Sequence, residues 1–110
     1  METFYISHPF SGNIEDNVEH SIEIQKQLME KHSEHCFVNP LVMFGGTEMA
    51  DDCQVSPQEY CQALAYTLEI LSRCDCLVLC DGWENSSGCK AEYAFALQQG
   101  IPILYLDSLL

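Results

Sequence analysis

The sequence predicts an α/β fold in which helices cover both faces of a parallel sheet. Segments typical of strands alternate with segments typical of helices in the order β-α-β-α-β-α-β, which calls for right-handed crossovers. The segment at 75–80 is apolar on both faces, as a central parallel strand should be. A length of 110 residues fits a single core, so 1–110 is predicted to be one domain.

Composition and end signals place the elements along the chain. Strand one, at 3–7, is rich in β-branched and aromatic residues and ends in the turn segment HPFSGN. Ser56, Pro57 and Glu59 provide a cap, a first-position proline and a nearby acid for the start of the second helix. The other elements are a helix at 14–32, a strand at 36–38, an irregular segment at 41–55, a strand at 75–80, a polar loop at 81–87, a helix at 88–99 stopped by Gly100, and a strand at 103–106.

The charge of the chain argues against several classes of partner. Four Lys and Arg residues face seventeen Asp and Glu, a formal net charge of −13, which repels nucleic-acid phosphates and anionic lipid. No apolar run approaches the roughly 18–20 residues of a membrane span. The N-terminal METFYISHPF lacks the basic and long apolar regions of a signal peptide. We therefore expect no nucleic-acid partner and no membrane partner.

The seven cysteines predict a reducing, cytoplasmic setting, because their number is odd and no secretory signal precedes them. Cys74, Cys76 and Cys80 have no CxxC spacing and no nearby histidine. They are interpreted as small buried hydrophobic residues. No metal and no cofactor is predicted.

Parallel sheets bind ligands at the carboxyl ends of their strands. Here that edge is formed by the loops HPFSGN, NPLVMFGG and DGWENSSG. Glu92 follows the third of these loops, in the first turn of the last predicted helix, where the helix dipole should lower the pKa of its carboxyl. An ionised carboxylate there is a candidate nucleophile or cation stabiliser. The alternative is ordinary charge placement at a helix N-terminus.

Other side chains at this edge also have two interpretations. The amides around Ser86, Ser87 and Gly88 form an anion site, or Ser87 simply caps the helix. Trp83 stacks on a base or sugar, or covers the sheet edge. The Tyr5 hydroxyl orients a carboxylate in the crevice, or Tyr5 is a half-buried core residue. His8, in the first loop, is a metal ligand or an acid–base group, or a surface residue.

The segments YISHPFSG and LSRCDCLVLCDGWENSSGCKAEYAFALQQGIPI resemble the nucleoside 2-deoxyribosyltransferase superfamily, and within it the small bacterial and phage branch labelled DUF4406. The resemblance spans nearly the whole chain. It implies a flavodoxin-like fold, here with four parallel strands in order 2-1-3-4, one strand short of the usual five. It also implies active sites at subunit interfaces, and therefore a homo-oligomer.

The resemblance implies roles for individual residues. Glu92 matches the nucleophile, Tyr5 matches the strand-one tyrosine that hydrogen-bonds it, and Ser86 matches a phosphate-contacting serine of the deoxynucleoside 5′-monophosphate N-glycosidases. From its place in the first loop, and not from the resemblance, His8 is the candidate acid. The predicted substrate-binding residues are Phe10, Ser11, Gly12, Asn39, Trp83, Ser86, Ser87 and Gly88.

The chain departs from the family at three positions. Thr67 stands where the family commonly has an Asp implicated in handling the proton of the leaving base. His8 stands where a Gly is usual, and Ser11 where the monophosphate glycosidases use Arg. Two functions follow. The first is cleavage or transfer of the N-glycosidic bond of a (deoxy)nucleoside or its monophosphate by Glu92. The second, favoured by Thr67, is a non-catalytic nucleotide-binding module.

We predict that the chain forms at least a dimer. A single small core, the apolar Leu109-Leu110 tail and the shared sites of the family motivate this expectation. Multi-angle light scattering at micromolar concentration should give at least twice the mass of one chain. The mass of a single 110-residue chain would contradict the prediction.

Overall fold

Four parallel strands form one sheet in the order β2-β1-β3-β4, in a computed structural model that describes residues 1–43 and 57–110. This order confirms the prediction. The strands are β1 (Thr3–Ser7), β2 (Cys36–Val38), β3 (Cys76–Leu79) and β4 (Ile103–Tyr105). Strand β1 is central, because it pairs with both β2 and β3.

Helices cover both faces of the sheet, which gives the predicted three layers. One core cluster joins Phe4 and Ile6 of β1 to Ile24 and Leu28 of the first helix. A second cluster, on the opposite face, contains Tyr5 together with residues of the last two helices. The helices are α1 (Ile14–Lys31), α2 (Pro40–Met43), α3 (Pro57–Ser72) and α4 (Ser87–Gln99).

The helix ends follow local chemistry. The Asn13 side chain accepts a hydrogen bond from the Asp16 amide and caps α1. Gly100 ends α4 in the left-handed conformation, with φ of 73°, as its position in the sequence predicted. The residue that caps the start of α4 is Ser86, whose hydroxyl oxygen accepts from the Cys89 amide at 3.2 Å. The alternative in which Ser87 is the cap is therefore wrong.

The remaining element predictions differ from the structure mainly at their ends. The irregular segment predicted at 41–55 begins inside the short helix α2, and its residues 44–55 and the predicted cap Ser56 lie outside the described residues. The polar loop at 81–87 contains a 3₁₀ turn at Trp83–Asn85, and a second 3₁₀ turn at Leu106–Ser108 follows β4. Among the helices of the described ranges, none combines the length and apolar character needed to span a bilayer.

The cysteines of the described residues carry free thiols. Cys76 and Cys80 are buried in the α1-side core, and Cys74 is half-buried, close to the prediction for all three. Cys89 is buried at the start of α4. Cys53 lies outside the described residues.

Leu77 gives a direct test of this packing, because its side chain is 0 % exposed in the centre of the sheet. We expect Leu77→Ala to lower the free energy of unfolding by about 2–5 kcal/mol, the sum of lost burial and the cavity left behind. Leu97→Ala is the matched control, because Leu97 is 58 % exposed. It should change stability by less than about 0.5 kcal/mol. Urea unfolding followed by circular dichroism measures both variants, and equal losses would contradict the core assignment.

Candidate active site

Glu92 is a buried carboxylate on α4, with 7 % of its surface exposed. Since α4 begins at Ser87, Glu92 is in its second turn, and the first turn contains no acidic residue. The predicted first-turn position is therefore wrong. The difference matters because the dipole effect of a helix falls off within the first turn.

Two hydroxyl groups from β1 donate hydrogen bonds to Glu92. The Tyr5 hydroxyl donates to Oε2 and the Ser7 hydroxyl donates to Oε1, the latter at 2.7 Å. Alternate residues of a strand point to the same face, so Tyr5 and Ser7 reach the same helix. The predicted contact between Tyr5 and Glu92 is confirmed. Each oxygen of the carboxylate thus has a donor from β1.

A third hydroxyl group comes from α3. Hydrogen bonding to Thr67 lowers the pKa of both Glu92 and Tyr5, so Thr67 lies beside the pair. The Thr67 hydroxyl also has the Leu64 carbonyl as an acceptor at 3.0 Å. A hydroxyl carries one proton, and that of Thr67 is directed at the Leu64 carbonyl, so Thr67 contributes less to Glu92 than Tyr5 or Ser7 does.

Burial decides the protonation behaviour of this cluster. Desolvation raises the pKa of Glu92, and the hydrogen bonds from Tyr5, Ser7 and Thr67 oppose that rise without cancelling it. This overturns the expectation that the helix N-terminus would lower the pKa of this carboxyl. Burial and the neighbouring Glu92 raise the pKa of Tyr5 far above its ordinary value, so Tyr5 remains a protonated donor.

Ser7 is the residue at this site that the sequence reasoning missed. A signal for it existed, because Tyr5 and Ser7 are two residues apart in a predicted strand and must share a face. Once Tyr5 is directed at Glu92, the next side chain on that face is Ser7. Its side chain is fully buried at the carboxyl end of β1.

His8 has different partners from Glu92. Its Nδ1 lies 2.7 Å from the Pro9 carbonyl oxygen and its Nε2 lies 2.8 Å from Nδ1 of His20 on α1. A carbonyl only accepts, so Nδ1 of His8 donates and Nε2 of the neutral ring accepts from His20. Burial, and secondarily the His20 charge, lowers the pKa of His8 against the opposing Pro9 hydrogen bond. Both ring nitrogens are therefore used away from Glu92, and the role of His8 as the acid stays a prediction.

Asn39 is held inside the chain by its own hydrogen bonds. Its amide nitrogen donates to the Ser21 hydroxyl at 3.0 Å and to the Gln25 side chain at 3.3 Å. Its oxygen accepts from the Leu41 amide at 3.1 Å. These bonds join the end of β2 to α1 and to the start of α2, which is a role in folding. Substrate binding by Asn39 stays a prediction.

The first loop leads from β1 to α1. The Asn17 side chain donates to the carbonyl oxygens of Phe10 and Ser11 and so ties the loop to α1. Gly12 has φ of 101°, a conformation that side-chain-bearing residues rarely adopt, so the turn requires glycine. Ser11 and Gly12 are exposed and Phe10 is partly buried.

Trp83 covers part of the α4 side of the sheet. Its ring packs on Tyr93 with centroids 4.8 Å apart and joins the core cluster on that face. This contact favours the covering interpretation of Trp83 over stacking on a base. Trp83 also lines a cavity of about 450 Å³ at the ends of β3 and β4, beside Asp81 and Tyr105.

The start of α4 faces the same sheet edge. The Ser86 hydroxyl is occupied by the Cys89 amide, Ser87 is exposed and Gly88 is partly exposed. A Cβ on Gly88 would meet nothing closer than the Ser86 hydroxyl oxygen at 4.0 Å, so space does not require glycine there. The predicted roles of these three residues in phosphate or substrate binding stay predictions.

Hydroxyl groups on β1 hold a buried glutamate on α4, the helix after β3. The chain is therefore an α/β protein with a carboxylate site beside its central strand. The chain belongs to the family described as a domain of unknown function (DUF7768), whose model matches residues 2–106. This match does not support the DUF4406 branch expected from the sequence. A search of curated proteins returns no match.

Two solved structures have a similar fold. One is a 2-deoxyribosyltransferase from the psychrotolerant bacterium Bacillus psychrosaccharolyticus, with a TM-score of 0.65 and 15 % identity over 94 % of this chain and 70 % of that one. The other is a conserved protein from Enterococcus faecalis V583, with a TM-score of 0.69 and 16 % identity over 96 % of this chain and 62 % of that one. These likenesses establish a flavodoxin-like fold shared with a deoxyribosyltransferase.

Glu92 should destabilise the protein at neutral pH, and a substitution tests this. The pKa of Glu92 is raised by burial, so the folded state favours the neutral carboxyl and loses stability as pH rises through that pKa. We expect Glu92→Gln to melt at a higher temperature than the natural protein at pH 8, with the difference shrinking as pH falls towards 4. Calorimetry across this range measures it. A difference that grows on acidification would contradict the raised pKa.

Proposed function

We propose that this chain binds a (deoxy)nucleoside or its monophosphate and cleaves or transfers the N-glycosidic bond, with Glu92 as the nucleophile. The observation that carries the proposal is the buried carboxylate held by Tyr5 and Ser7 at the carboxyl edge of a parallel sheet. Ligands of such sheets bind at this edge. The fold shared with a 2-deoxyribosyltransferase supports the proposal at the level of architecture.

The proposed reaction has two steps. An oxygen of Glu92 bonds to C1′ of the sugar while the bond from C1′ to the base nitrogen breaks, through an oxocarbenium-like transition state. The bonding pair leaves with the base, which takes up a proton from solvent. Water, or a ring nitrogen of a second base, then attacks C1′ and loses its proton to solvent as the bond to Glu92 breaks, which returns the carboxylate. Only ionised Glu92 can attack, so the rate should rise with pH through its raised pKa.

The hydroxyl groups of Tyr5 and Ser7 have a defined part in this scheme. They orient the carboxylate without adding a positive charge, so its electron pair stays available for bonding to C1′. An arginine or lysine in the same place would stabilise the ionised form more strongly and reduce its nucleophilicity. No ion pair among the described residues involves Glu92.

A non-catalytic nucleotide-binding module, such as a sensor or a sequestering protein, is the second candidate. Thr67 favours it, because a threonine has no acidic proton for the leaving base at a position where the resembling family commonly has Asp. Thr67 lies beside Glu92 and Tyr5, where that Asp would act. The two candidates share a ligand and differ in turnover.

We also propose that the chain acts as a homo-oligomer in the cytoplasm. Large apolar side chains on its surface, among them Tyr60, Tyr105 and Met29, support association. The free thiols of the described cysteines fit a reducing compartment.

The test is incubation with a panel of deoxynucleosides, ribonucleosides and their monophosphates, followed by chromatography for free or exchanged base. We expect release from at least one member of the panel, and a loss of about 10³-fold or more in Glu92→Gln, since removing a nucleophile removes the covalent route. Glu23→Gln, an exposed glutamate of α1, is the control and should keep full activity. Binding detected by calorimetry without any release of base would support the binding module. The absence of both binding and release would overturn both candidates.

A further inference from the structure

Ser7 is placed to act on Glu92 from inside the core. Its side chain is 0 % exposed, and its hydroxyl donates to Oε1 of Glu92 at 2.7 Å. It is the last residue of β1 and pairs in register with Leu79 of β3, and its carbonyl oxygen accepts from the Cys80 amide, so its backbone is held by the sheet. The hydroxyl therefore approaches Glu92 from a rigid position.

Two hydrogen-bond donors fix the orientation of the Glu92 carboxylate, which a single donor cannot do. The last torsion of a glutamate side chain is broad, so a carboxylate held through one oxygen can still turn. Here the Tyr5 hydroxyl holds Oε2 and the Ser7 hydroxyl holds Oε1. Both donors come from the same strand, so the plane of the carboxylate is fixed relative to β1.

The other groups around Glu92 do not replace Ser7 as a donor to its carboxylate. From β1, Tyr5 faces it as a neutral donor, and from α3, the Thr67 hydroxyl lies beside it. From α4 itself, the Cys89 thiol lies close to Glu92 and also hydrogen-bonds the Ser7 hydroxyl, whose own proton goes to Glu92. Burial raises the pKa of Cys89, and it raises the pKa of Cys74, which interacts with Tyr5, to about 11. Both thiols are neutral at physiological pH. The hydrogen bonds that favour the ionised carboxylate thus come from hydroxyl groups.

We propose that Ser7 is a positioning residue for Glu92: its hydroxyl fixes the orientation of the carboxylate and stabilises its ionised form. Its effect on the proposed reaction rests on the proposed function, whereas its hold on Glu92 does not. The competing view is that Ser7 merely satisfies its own buried hydroxyl. That view predicts a loss of stability in a Ser7 variant and no change in the titration of Glu92.

The experiment is a titration of the Glu92 side-chain carboxyl by carbon NMR in the full chain labelled at glutamate. Glu92→Gln identifies the resonance by its disappearance. We expect Ser7→Ala to move the Glu92 titration upward by about one pH unit, the effect of losing one hydrogen bond to the charged form. Ser7→Thr restores the hydroxyl and should return the titration close to that of the natural protein.

Cys76→Ala is the matched control, because it also truncates a small buried side chain but lies in the α1-side core. It should lower stability and leave the Glu92 titration unchanged. If Ser7→Ala does not fold, Ser7→Cys keeps the size of the side chain with a weak donor and should give the same upward direction. An unchanged Glu92 titration in the folded Ser7 variant, or an equal shift in Cys76→Ala, overturns the proposal.

Activity provides a second reading. If the natural protein releases base, the acid limb of the pH–rate profile of Ser7→Ala should move upward with the NMR titration, and kcat should fall about tenfold with little change in KM. If the natural protein releases base and the pH–rate profile of Ser7→Ala is unchanged, the positioning role of Ser7 is overturned and the proposed function is not. No release by any form contradicts the proposed function, and the NMR titration still decides the role of Ser7.

Discussion

The alternation of side chains along β1 is the constraint on which both the core and the candidate site depend. Phe4 and Ile6 point to one face and enter the core under α1, while Tyr5 and Ser7 point to the other and hold Glu92. Because β1 pairs with a strand on each side, a shift of register by one residue would exchange these two sets. The packing that fixes the register of the sheet therefore also fixes the geometry of the carboxylate.

Burying a carboxylate is costly, and this protein offsets the cost with neutral donors. The chain has only four Lys and Arg residues and a net charge of −13, so a cationic partner is scarce. Hydroxyl groups satisfy the oxygens of Glu92 but do not neutralise its charge, which is why burial still raises its pKa. A carboxylate of this kind remains more basic than one in a salt bridge. That property suits bond formation to carbon, and it lowers the stability of the folded state.

The order of the strands and the meeting of Tyr5 with Glu92 could be predicted from the sequence. Both depend on patterns that reach along the chain: alternating elements, a two-sided apolar strand, and a resemblance that spans the motifs. The pKa of Glu92 could not be predicted, because it depends on how deeply α4 buries its second turn. Counted from the predicted start at Gly88 or the observed start at Ser87, Glu92 lies beyond the first turn of α4, where the effect of the helix dipole has fallen off.

The partners of His8 were also beyond the sequence. No spacing rule links a histidine in the loop before α1 to His20 on that helix. The contact arises because the loop folds back on the helix. Asn39 illustrates the same limit. Its place after a strand predicted a loop residue at the crevice, but the hydrogen bonds by which its amide joins β2, α1 and α2 follow no spacing rule.

The two outer strands, β2 and β4, are each three residues long. Outer strands expose backbone amide and carbonyl groups that can template the addition of another chain, and very short ones offer little for such templating. In the described part of the chain, the sheet is therefore poorly suited to grow by strand addition. Any association between copies would therefore use side chains on helices and loops. At high concentration, the short outer strands and the strong negative charge would both oppose fibre formation from the sheet edges.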